Sequence, residues 1–202
     1  MTVDIVSESV RTSPLGAYAA RLATLPQGVT VREVPFLTQL DLRVQPGGAA
    51  ATAVARVLGV QLPTAPCTSV LGVDGVELLW LGPDEWLVVG PAGQNTLEGD
   101  LRDAVAQHGA VVDVSAQRTT VALSGPRVRD LLAHGCAVDL DPRVSPKGTC
   151  VQTLLALAGV VLVVRDESAS DIRLLVRSSF ARYLADWLID ACLEYQDDPS
   201  WQ

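Results

Sequence analysis

The stretch that decides the fold is Trp80-Leu81-Gly82-Pro83-Asp84-Glu85-Trp86-Leu87-Val88-Val89-Gly90, in which two of the four tryptophans flank a short polar turn. Apolar runs at 77–81 and 86–89 are typical of strands. Between them, Pro83 sets a backbone angle suited to a turn, and Asp84 can hydrogen-bond its own backbone. The pattern therefore predicts a β-hairpin with an acidic tip.

Elements on both sides of the hairpin complete a recognisable order. The sequence predicts strands at 29–34 and 36–44, the second with Phe36 on its apolar face, helices at 47–58 and 96–107, and a strand at 110–114. The order β-α-β-β-α-β is that of a ferredoxin-like unit, also called a split βαβ unit. A short helix at 14–24, with Ser13 as its N-cap, is predicted before this unit.

The order repeats in the second part of the chain. We predict strands at 119–123, 150–155, 160–165 and 172–176, a helix at 128–133 that Gly125 and Pro126 open and Gly135 caps, and a last helix at 179–194 with Phe180 and Tyr183 on its apolar face. The prediction is an α+β fold, in which a single domain over 1–202 contains two ferredoxin-like halves at about 29–114 and 118–194.

Composition restricts the classes of partner. The 202 residues are 49% hydrophobic, and 23 acidic against 15 basic residues give a net charge of -8. A nucleic-acid backbone or an anionic membrane would be repelled. The first eleven residues lack a signal-peptide pattern, and the apolar run at 154–164 is about half of what a membrane helix needs and suits a buried strand. These features predict a cytoplasmic protein.

Motifs for catalysis, cofactors or metals are missing from the sequence. It contains no glycine-rich nucleotide loop and no Gly-x-Ser-x-Gly elbow, and its one lysine, Lys147, lies in an expected exposed turn. Four widely spaced cysteines are expected to be buried, reduced thiols, and the pair His134 and Cys136 is too small a ligand set for zinc. We therefore predict no catalytic, cofactor-binding or metal-binding residues in this chain.

The hairpin itself allows a functional and a structural interpretation. Asp84 and Glu85 form an obvious carboxylate pair, but adjacent turn residues tend to point to opposite sides, which favours a solvated turn over shared acid–base chemistry. Trp80 and Trp86 suit the core or an interface better than stacking on a cofactor. The hairpin is therefore predicted to have a structural or docking role.

Six segments together resemble a known family. They are 80–87, 11–15, 34–39, 113–118, 123–126 and 177–181, and they extend over nearly the whole chain. These segments closely resemble the gamma subunit family of heterotetrameric sarcosine oxidase. The Ser-Gly-Pro sequence at 124–126 is shared with the wider aminomethyltransferase-like family, so the resemblance implies a fold like the folate-binding region of aminomethyltransferase.

The resemblance also implies a function. The sarcosine oxidase complex oxidatively demethylates sarcosine to glycine, using FAD, FMN and NAD and passing the one-carbon unit to tetrahydrofolate. The larger subunits of the complex hold the flavins and the folate. This chain would then be a non-catalytic subunit with alpha, beta and small delta subunits as partners. Candidate interface residues from the family motifs are Trp80, Gly82, Pro83, Asp84, Glu85, Trp86, Gly125, Pro126, Arg177, Ser179 and Phe180.

Two alternatives stay open at this point. The chain could be a stand-alone folate-binding aminomethyl-transfer protein, with Asp84 or Glu85 holding the pterin. The folate-contacting segment of the wider family would fall at 165–171, where only Arg165 matches that segment. Alternatively, the complex could be a related N-methylamino-acid oxidase or dehydrogenase, since the large subunits determine the substrate.

Overall fold

The computed structural model describes residues 11–196, which form ten strands and five α-helices. The strands are β1 (Thr30–Val34), β2 (Thr38–Val44), β3 (Ser69–Leu71), β4 (Glu77–Gly82), β5 (Glu85–Gly90), β6 (Gly109–Asp113), β7 (Arg118–Ser124), β8 (Cys150–Leu155), β9 (Ala158–Val164) and β10 (Asp171–Arg177). The helices are α1 (Ala19–Leu22), α2 (Ala49–Leu58), α3 (Leu97–Val105), α4 (Val128–Ala133) and α5 (Ala181–Ala191). Short 3₁₀ turns occupy Gly16–Tyr18, Val73–Gly75, Ser178–Phe180 and Leu193–Tyr195. None of the helices within 11–196 is long and apolar enough to cross a membrane.

Two antiparallel five-stranded sheets form the centre of the molecule. The first sheet has the order β3-β4-β5-β2-β6, and the second has the order β1-β7-β10-β9-β8. Without the edge strands β3 and β8, each sheet has the strand order of a ferredoxin-like unit. In the first unit α2 follows β2 and α3 follows β5, and in the second unit α4 follows β7 and α5 follows β10. The predicted α+β fold of two ferredoxin-like halves is therefore confirmed.

The first strand crosses the predicted boundary between the halves. We expected β1 to belong to the half at 29–114, but it pairs antiparallel with β7, from Thr30 opposite Ser124 to Val34 opposite Thr120. It thereby supplies the fourth strand of the second unit, and Val31 is buried in the core of that unit. Alternation of apolar residues predicts a strand but does not specify which of two sheet edges the strand will join.

The molecule has four layers, with the helices outside and the two sheets facing each other. Helices α2 and α3 cover the outer face of the first sheet, while α1, α4 and α5 cover the second. The inner faces share an apolar centre consisting of Leu79, Leu87, Val89, Cys150, Val161, Val163 and Leu175. Because side chains alternate along a strand, every second residue of these strands points into this inter-sheet layer.

The hairpin at 80–90 forms as predicted, with a loop of two residues. Trp80 pairs with Trp86, Gly82 pairs with Glu85, and the register shifts at Leu81. A proline in the loop prevents the positive φ that the commonest two-residue hairpin turns need, and a bulge restores the strand twist. Trp86 is fully buried under the first sheet's helices, and its Nε1 donates a 2.8 Å hydrogen bond to the Pro63 carbonyl.

Several helix predictions are confirmed. Helix α2 ends at Leu58, and Gly59 follows with a φ of 66°, as expected for a left-handed C-cap. Helices α3 and α4 lie within or at the predicted ranges. Gly135, however, does not cap α4 in the left-handed region. A side chain there would lie 2.6 Å from Trp187, so close packing explains the glycine.

The predicted N-terminal helix is confirmed as a 3₁₀ turn at Gly16–Tyr18 that continues into α1. Its predicted cap is wrong, because the Ser13 hydroxyl donates to the Glu33 carboxylate and makes no cap hydrogen bond. Two other local predictions are also wrong. Phe36 lies before β2 with a φ of 60° and is exposed. Phe180 and Tyr183 are also exposed, because the last helix begins at Ala181 and turns Leu184 and Leu188 inward. The short edge strand β3 was not predicted.

Candidate functional site

The inter-sheet layer has a charged group at each end of its apolar centre. We term the group beside the hairpin turn the tip end, and it contains Asp41, Arg43, Glu85, Arg118 and Arg177. The group beside the β9–β10 connection is termed the loop end, and it contains Glu77, Arg165 and Arg173. Arg173 and Arg177 are four positions apart along β10, so about 13 Å lies between the two ends.

Three residues of the tip end form a surface ion-pair group. Arg43 Nη2 lies 2.8 Å from Glu85 Oε2, and Arg43 Nε lies 3.7 Å from Asp41 Oδ2. The Arg43 side chain is 50% exposed, so solvent screens these pairs. Pairs of this kind contribute about 0–1 kcal/mol each. Glu85, at the end of the hairpin turn, is therefore engaged in a local contact of modest strength.

The other two residues of the tip end are a like-charge pair. Arg118 and Arg177 lie directly opposite each other on β7 and β10. Within residues 11–196, neither arginine has a carboxylate oxygen within 4.0 Å. Burial and the neighbouring charge of Arg177 hold the pKa of Arg118 below its ordinary value, while the charges of Asp41 and Glu85 act in the opposite direction. Like charges directly opposite each other on adjacent strands repel each other.

Polar atoms under the tip end lack hydrogen-bond partners. Gln39 Nε2 donates to the Arg118 carbonyl at 3.2 Å. Its Oε1, together with Asp41 Oδ1 and Thr120 Oγ1, is buried and accepts no hydrogen bond from any part of the chain that the structure describes. All three side chains lie on the inner faces of β2 and β7. Among the described residues, these three buried acceptors therefore lack a hydrogen-bond donor.

At the loop end the charges are paired and buried. The Glu77 carboxylate, in a residue only 6% exposed, lies 2.5 Å from Arg165 Nη1 and 3.9 Å from Arg173 Nη1. Burial raises the pKa of Glu77, while the charges of Arg165 and Arg173 act in the opposite direction. This group links β4 of the first sheet to β9 and β10 of the second. It is a structural cross-link between the two units.

In the connection at 165–171, which corresponds to the folate-contacting segment of the wider family, the polar groups form hydrogen bonds with one another. The Asp166 carboxylate accepts hydrogen bonds from Ser168, from both polar groups of Ser170 and from the Asp171 amide. Burial would raise the pKa of Asp166, but these hydrogen bonds lower it to about 2. Because Arg165 is held by Glu77, these side chains do not fit a role in holding folate.

The structure brings together only some of the predicted interface residues. Glu85 and Arg177 both lie at the tip end, and the exposed residues Ser179 and Phe180 follow shortly after β10. Gly82, Pro83 and Asp84 form the adjoining turn. In contrast, Gly125 and Pro126 lie beyond the other end of β7, about 20 Å away. At that position the Gly125 amide donates to the Ser170 carbonyl at 2.9 Å.

Both tryptophans lie on the helix-facing side of the first sheet. Trp86 is inaccessible to any partner, and Trp80 is half-buried on the same helix-facing side of the first sheet. Asp84 is exposed, and within the described residues its carboxylate accepts no hydrogen bond. Its backbone carbonyl instead accepts from the Val44 amide at 3.2 Å. The turn is therefore fixed by its backbone and not by the Asp84 side chain.

Sequence reasoning missed the exposed apolar residues near the tip end. We predicted the run at 154–164 to be a buried strand, but Leu154 is 58% exposed and Leu157 is 76% exposed. Both lie where the second sheet extends past the first. A clue was available in β8 itself, where Gln152 shares a face with Leu154 and marks a partly solvated position.

Other chemical groups are isolated from one another. No three His, Cys, Asp or Glu side chains within 11–196 are arranged to hold a metal ion. Burial raises the pKa of Cys150 to about 12 and that of Cys192 to about 11, as expected of inert thiols. Contrary to prediction, Cys67 is exposed in the connection between α2 and β3, and Cys136 is only half-buried. The exposed position of Lys147 agrees with the prediction.

Comparison with known proteins gives a consistent result over most of the chain. The family described as "Sarcosine oxidase, gamma subunit family" matches residues 44–194. A sarcosine oxidase subunit gamma of Corynebacterium sp. (strain U-96) is 38% identical over 198 residues, which are 95% of this chain and 94% of the relative. A subunit gamma of Arthrobacter sp. is 36% identical over 194 residues, which are 95% of this chain and 94% of that relative.

Solved structures agree with the sequence comparisons. A chain of the heterotetrameric sarcosine oxidase from Corynebacterium sp. U-96, in complex with pyrrole 2-carboxylate, superposes with a TM-score of 0.85 at 37% identity. The match covers 92% of this chain and 96% of that chain. Aminomethyltransferase T of the glycine cleavage system from Bartonella henselae superposes with a TM-score of 0.59 at 16% identity, over 88% of this chain and 50% of that one. The second likeness shows a shared fold.

Proposed function

The chain belongs to the sarcosine oxidase gamma subunit family, and we propose that it is a non-catalytic subunit of a heterotetrameric complex that oxidatively demethylates sarcosine to glycine. The observation that carries the proposal is the match to one chain of such a heterotetramer, at a TM-score of 0.85 over 92% of this chain. A second observation supports it. The charged groups of the inter-sheet layer either cross-link the two sheets or face solvent beside an apolar surface.

We propose that the remaining subunits are those of the family's alpha, beta and delta types. In this proposal the complex carries FAD, FMN and NAD and passes the one-carbon unit to tetrahydrofolate. The cofactors belong to the larger subunits, and this chain contributes a surface on which those subunits pack. The exposed apolar side chains near the tip end, including Leu154, Leu157 and Phe180, are consistent with such a surface.

A stand-alone folate-binding role is disfavoured by the residues at 165–171. The carboxylate of Asp166 already accepts four hydrogen bonds within its own loop, and Arg165 is paired with Glu77. Asp84 and Glu85, the other candidates for a pterin contact, lie in the turn at the tip end, about 13 Å from that loop. A pterin could not contact both sets of residues at once.

The proposal is tested by co-expressing this chain with the other subunits and purifying the complex through a tag on a larger subunit. We expect stoichiometric co-purification, a flavin absorption spectrum in the complex, and sarcosine-dependent oxygen consumption. Titration of the isolated chain with tetrahydrofolate should show no binding in the micromolar range. Micromolar binding by the isolated chain, or a fully active complex formed without it, would contradict the proposal. A preference for another N-methylamino acid would identify a related oxidase or dehydrogenase.

A further inference from the structure

The second sheet extends beyond the first at the tip end, so part of its inner face is open. Gln152 Nε2 donates to the Leu81 carbonyl at 3.0 Å, so β4 covers β8 as far as Gln152. One step further along the same face, Leu154 is largely exposed, and no atom lies within 4 Å of the position where a side chain of Gly159 would begin. Leu154 pairs with Gly159 across β8 and β9.

The open row continues across the sheet to Arg118 and Arg177, which have no carboxylate oxygen within 4.0 Å among residues 11–196. Val160 pairs with Val176, so Gly159 lies next to Arg177, which in turn pairs with Arg118. We term this row the ledge, and it consists of Leu154, Gly159, Arg177 and Arg118. With strands about 4.8 Å apart, the ledge extends roughly 14 Å across the inner face. It is apolar at the β8 edge and cationic at the β7 side.

An apolar rim borders the ledge where β8 turns into β9 and where β10 leads into α5. The rim consists of Leu157, Phe180 and Tyr183. The Leu157 amide donates to the Tyr183 hydroxyl at 3.2 Å, and the rings of Phe180 and Tyr183 pack edge to face with centroids 6.4 Å apart. These contacts fix the backbone of Leu157 and the two aromatic rings before any partner arrives, which lowers the conformational entropy lost on binding.

The arginine pair indicates what kind of group the ledge receives. Two cations directly opposite each other on adjacent strands repel each other. Because the chain has a net charge of -8, this arginine pair is a local cationic site on an acidic protein. A carboxylate placed between Arg118 and Arg177 would offset that repulsion and form charge-assisted hydrogen bonds with a guanidinium. The apolar part of the ledge and its rim would accept neighbouring apolar side chains.

We infer that the ledge receives a segment of a larger partner subunit that places a carboxylate on Arg177 and Arg118 and apolar side chains against Leu154 and the rim. The inference rests on the proposed function and specifies the surface that carries it. A second copy of this chain is a poorer occupant, because two molecules with a net charge of -8 repel each other. An anionic lipid surface is disfavoured for the same reason.

The experiment measures how well a variant competes with the wild-type chain for incorporation into the complex. Wild-type chain and one variant are co-expressed with the other subunits, the complex is purified through a larger subunit, and mass spectrometry gives the ratio of the two chains. Arg177→Glu should be under-represented by about 30-fold or more, because it places a like charge against the partner carboxylate. Leu154→Ser should be under-represented about 5-fold through lost apolar contact.

Matched controls are available on other surfaces. Arg56→Glu makes the same charge change on exposed helix α2, and Leu71→Ser makes the same apolar change on the other edge strand, where Leu71 is 55% exposed against 58% for Leu154. Both controls should be incorporated as well as wild type. Thermal unfolding of each isolated chain shows whether the variant folds, and Arg177→Lys, which keeps the charge, should recover most of the incorporation.

The outcomes separate the inference from the function on which it rests. Equal incorporation of Arg177→Glu, Leu154→Ser and both controls would overturn the ledge as the docking surface while leaving the proposed function intact. A change in the oligomeric state of the isolated Arg177→Glu chain with normal incorporation would show that the ledge contacts a second copy, which also overturns the inference. Absence of the wild-type chain from the purified complex would overturn the proposed function itself.

Discussion

The two ends of the inter-sheet layer contain similar charged residues, but these charges are paired to different degrees. At the loop end, one buried carboxylate, Glu77, has two arginine partners. At the tip end, Arg43 contacts Asp41 and Glu85, and no carboxylate oxygen among residues 11–196 lies within 4.0 Å of Arg118 or Arg177. The charges of the loop end are therefore paired within the described residues, whereas the tip end combines two arginines without a close ion pair and an exposed apolar surface. Our proposal assigns cohesion of the two sheets to the loop end and assembly to the tip end.

The largest expected effect is the removal of the carboxylate at the loop end. Glu77→Ala leaves Arg165 and Arg173 without a counter-charge in a partly buried site, and we expect it to lower the free energy of unfolding by about 3 kcal/mol. Urea denaturation of the isolated chain measures this change. Glu85→Ala is the matched variant at the tip end, where an exposed pair should cost about 0.5 kcal/mol. Equal losses at both sites would remove the contrast between the ends.

A second prediction concerns the backbone that supports the loop end. Gly125 has a φ of 130°, and a side chain at this position would lie 2.2 Å from the Gly28 carbonyl oxygen. Gly125→Ala should therefore lower the free energy of unfolding by about 2–3 kcal/mol, through strain and displacement of the Gly28 segment. Gly93→Ala is a matched control, because Gly93 also has positive φ, at 80°, but has no atom within 4 Å of that position. A loss no greater than that of Gly93→Ala would contradict the close-contact explanation.

A third prediction concerns acid. The pKa of Asp166 in the folded chain is about 2, below that of an unfolded aspartate, so its hydrogen bonds stabilise the fold above pH 4. This stabilisation is lost as the pH falls from about 4 to about 2. After solvent screening it amounts to about 1 kcal/mol. Comparing the pH dependence of unfolding for wild type and Asp166→Asn isolates the contribution, and parallel curves for the two chains would show that Asp166 has no such role.

The smallest expected effect is at the hairpin turn. Asp84→Ala should change the free energy of unfolding by less than about 0.5 kcal/mol, because the Asp84 side chain is exposed and the turn is fixed by its backbone. Turnover of a properly assembled, flavin-loaded complex should be unchanged. Thermal unfolding and sarcosine turnover measure the two quantities. A turnover defect in such a complex would show that this carboxylate takes part in the chemistry.

The sequence was sufficient for the hairpin, for the helices α2 to α4 and for the order of elements apart from β3. Periodicity, turn residues and the glycine after Leu58 are local signals, and local structure follows them. The sheet joined by β1 could not be predicted, because edge pairing depends on which strand is left exposed after the rest has packed. The contrast between the two charged ends also depends on packing, since Arg118 and Arg165 look alike in sequence and differ in their neighbours.

The motif residues divide in a similar way. The family pattern included Arg177, Ser179 and Phe180, which do lie at the tip end, but it also included Trp86, which is fully buried. A family motif in the sequence does not distinguish residues of the core from residues of the surface. Leu154 and Leu157 belong to none of the family motifs. Only the structure shows that they are exposed where the second sheet extends past the first.

The claim that the tip end is the docking side is tested most directly by hydrogen–deuterium exchange of this chain, alone and in the assembled complex. We predict that assembly slows amide exchange at 81–85, 152–159 and 177–183, and leaves 165–171 and 125–128 unchanged. Slower exchange confined to 165–171 and 125–128, with the tip end unaffected, would contradict the account.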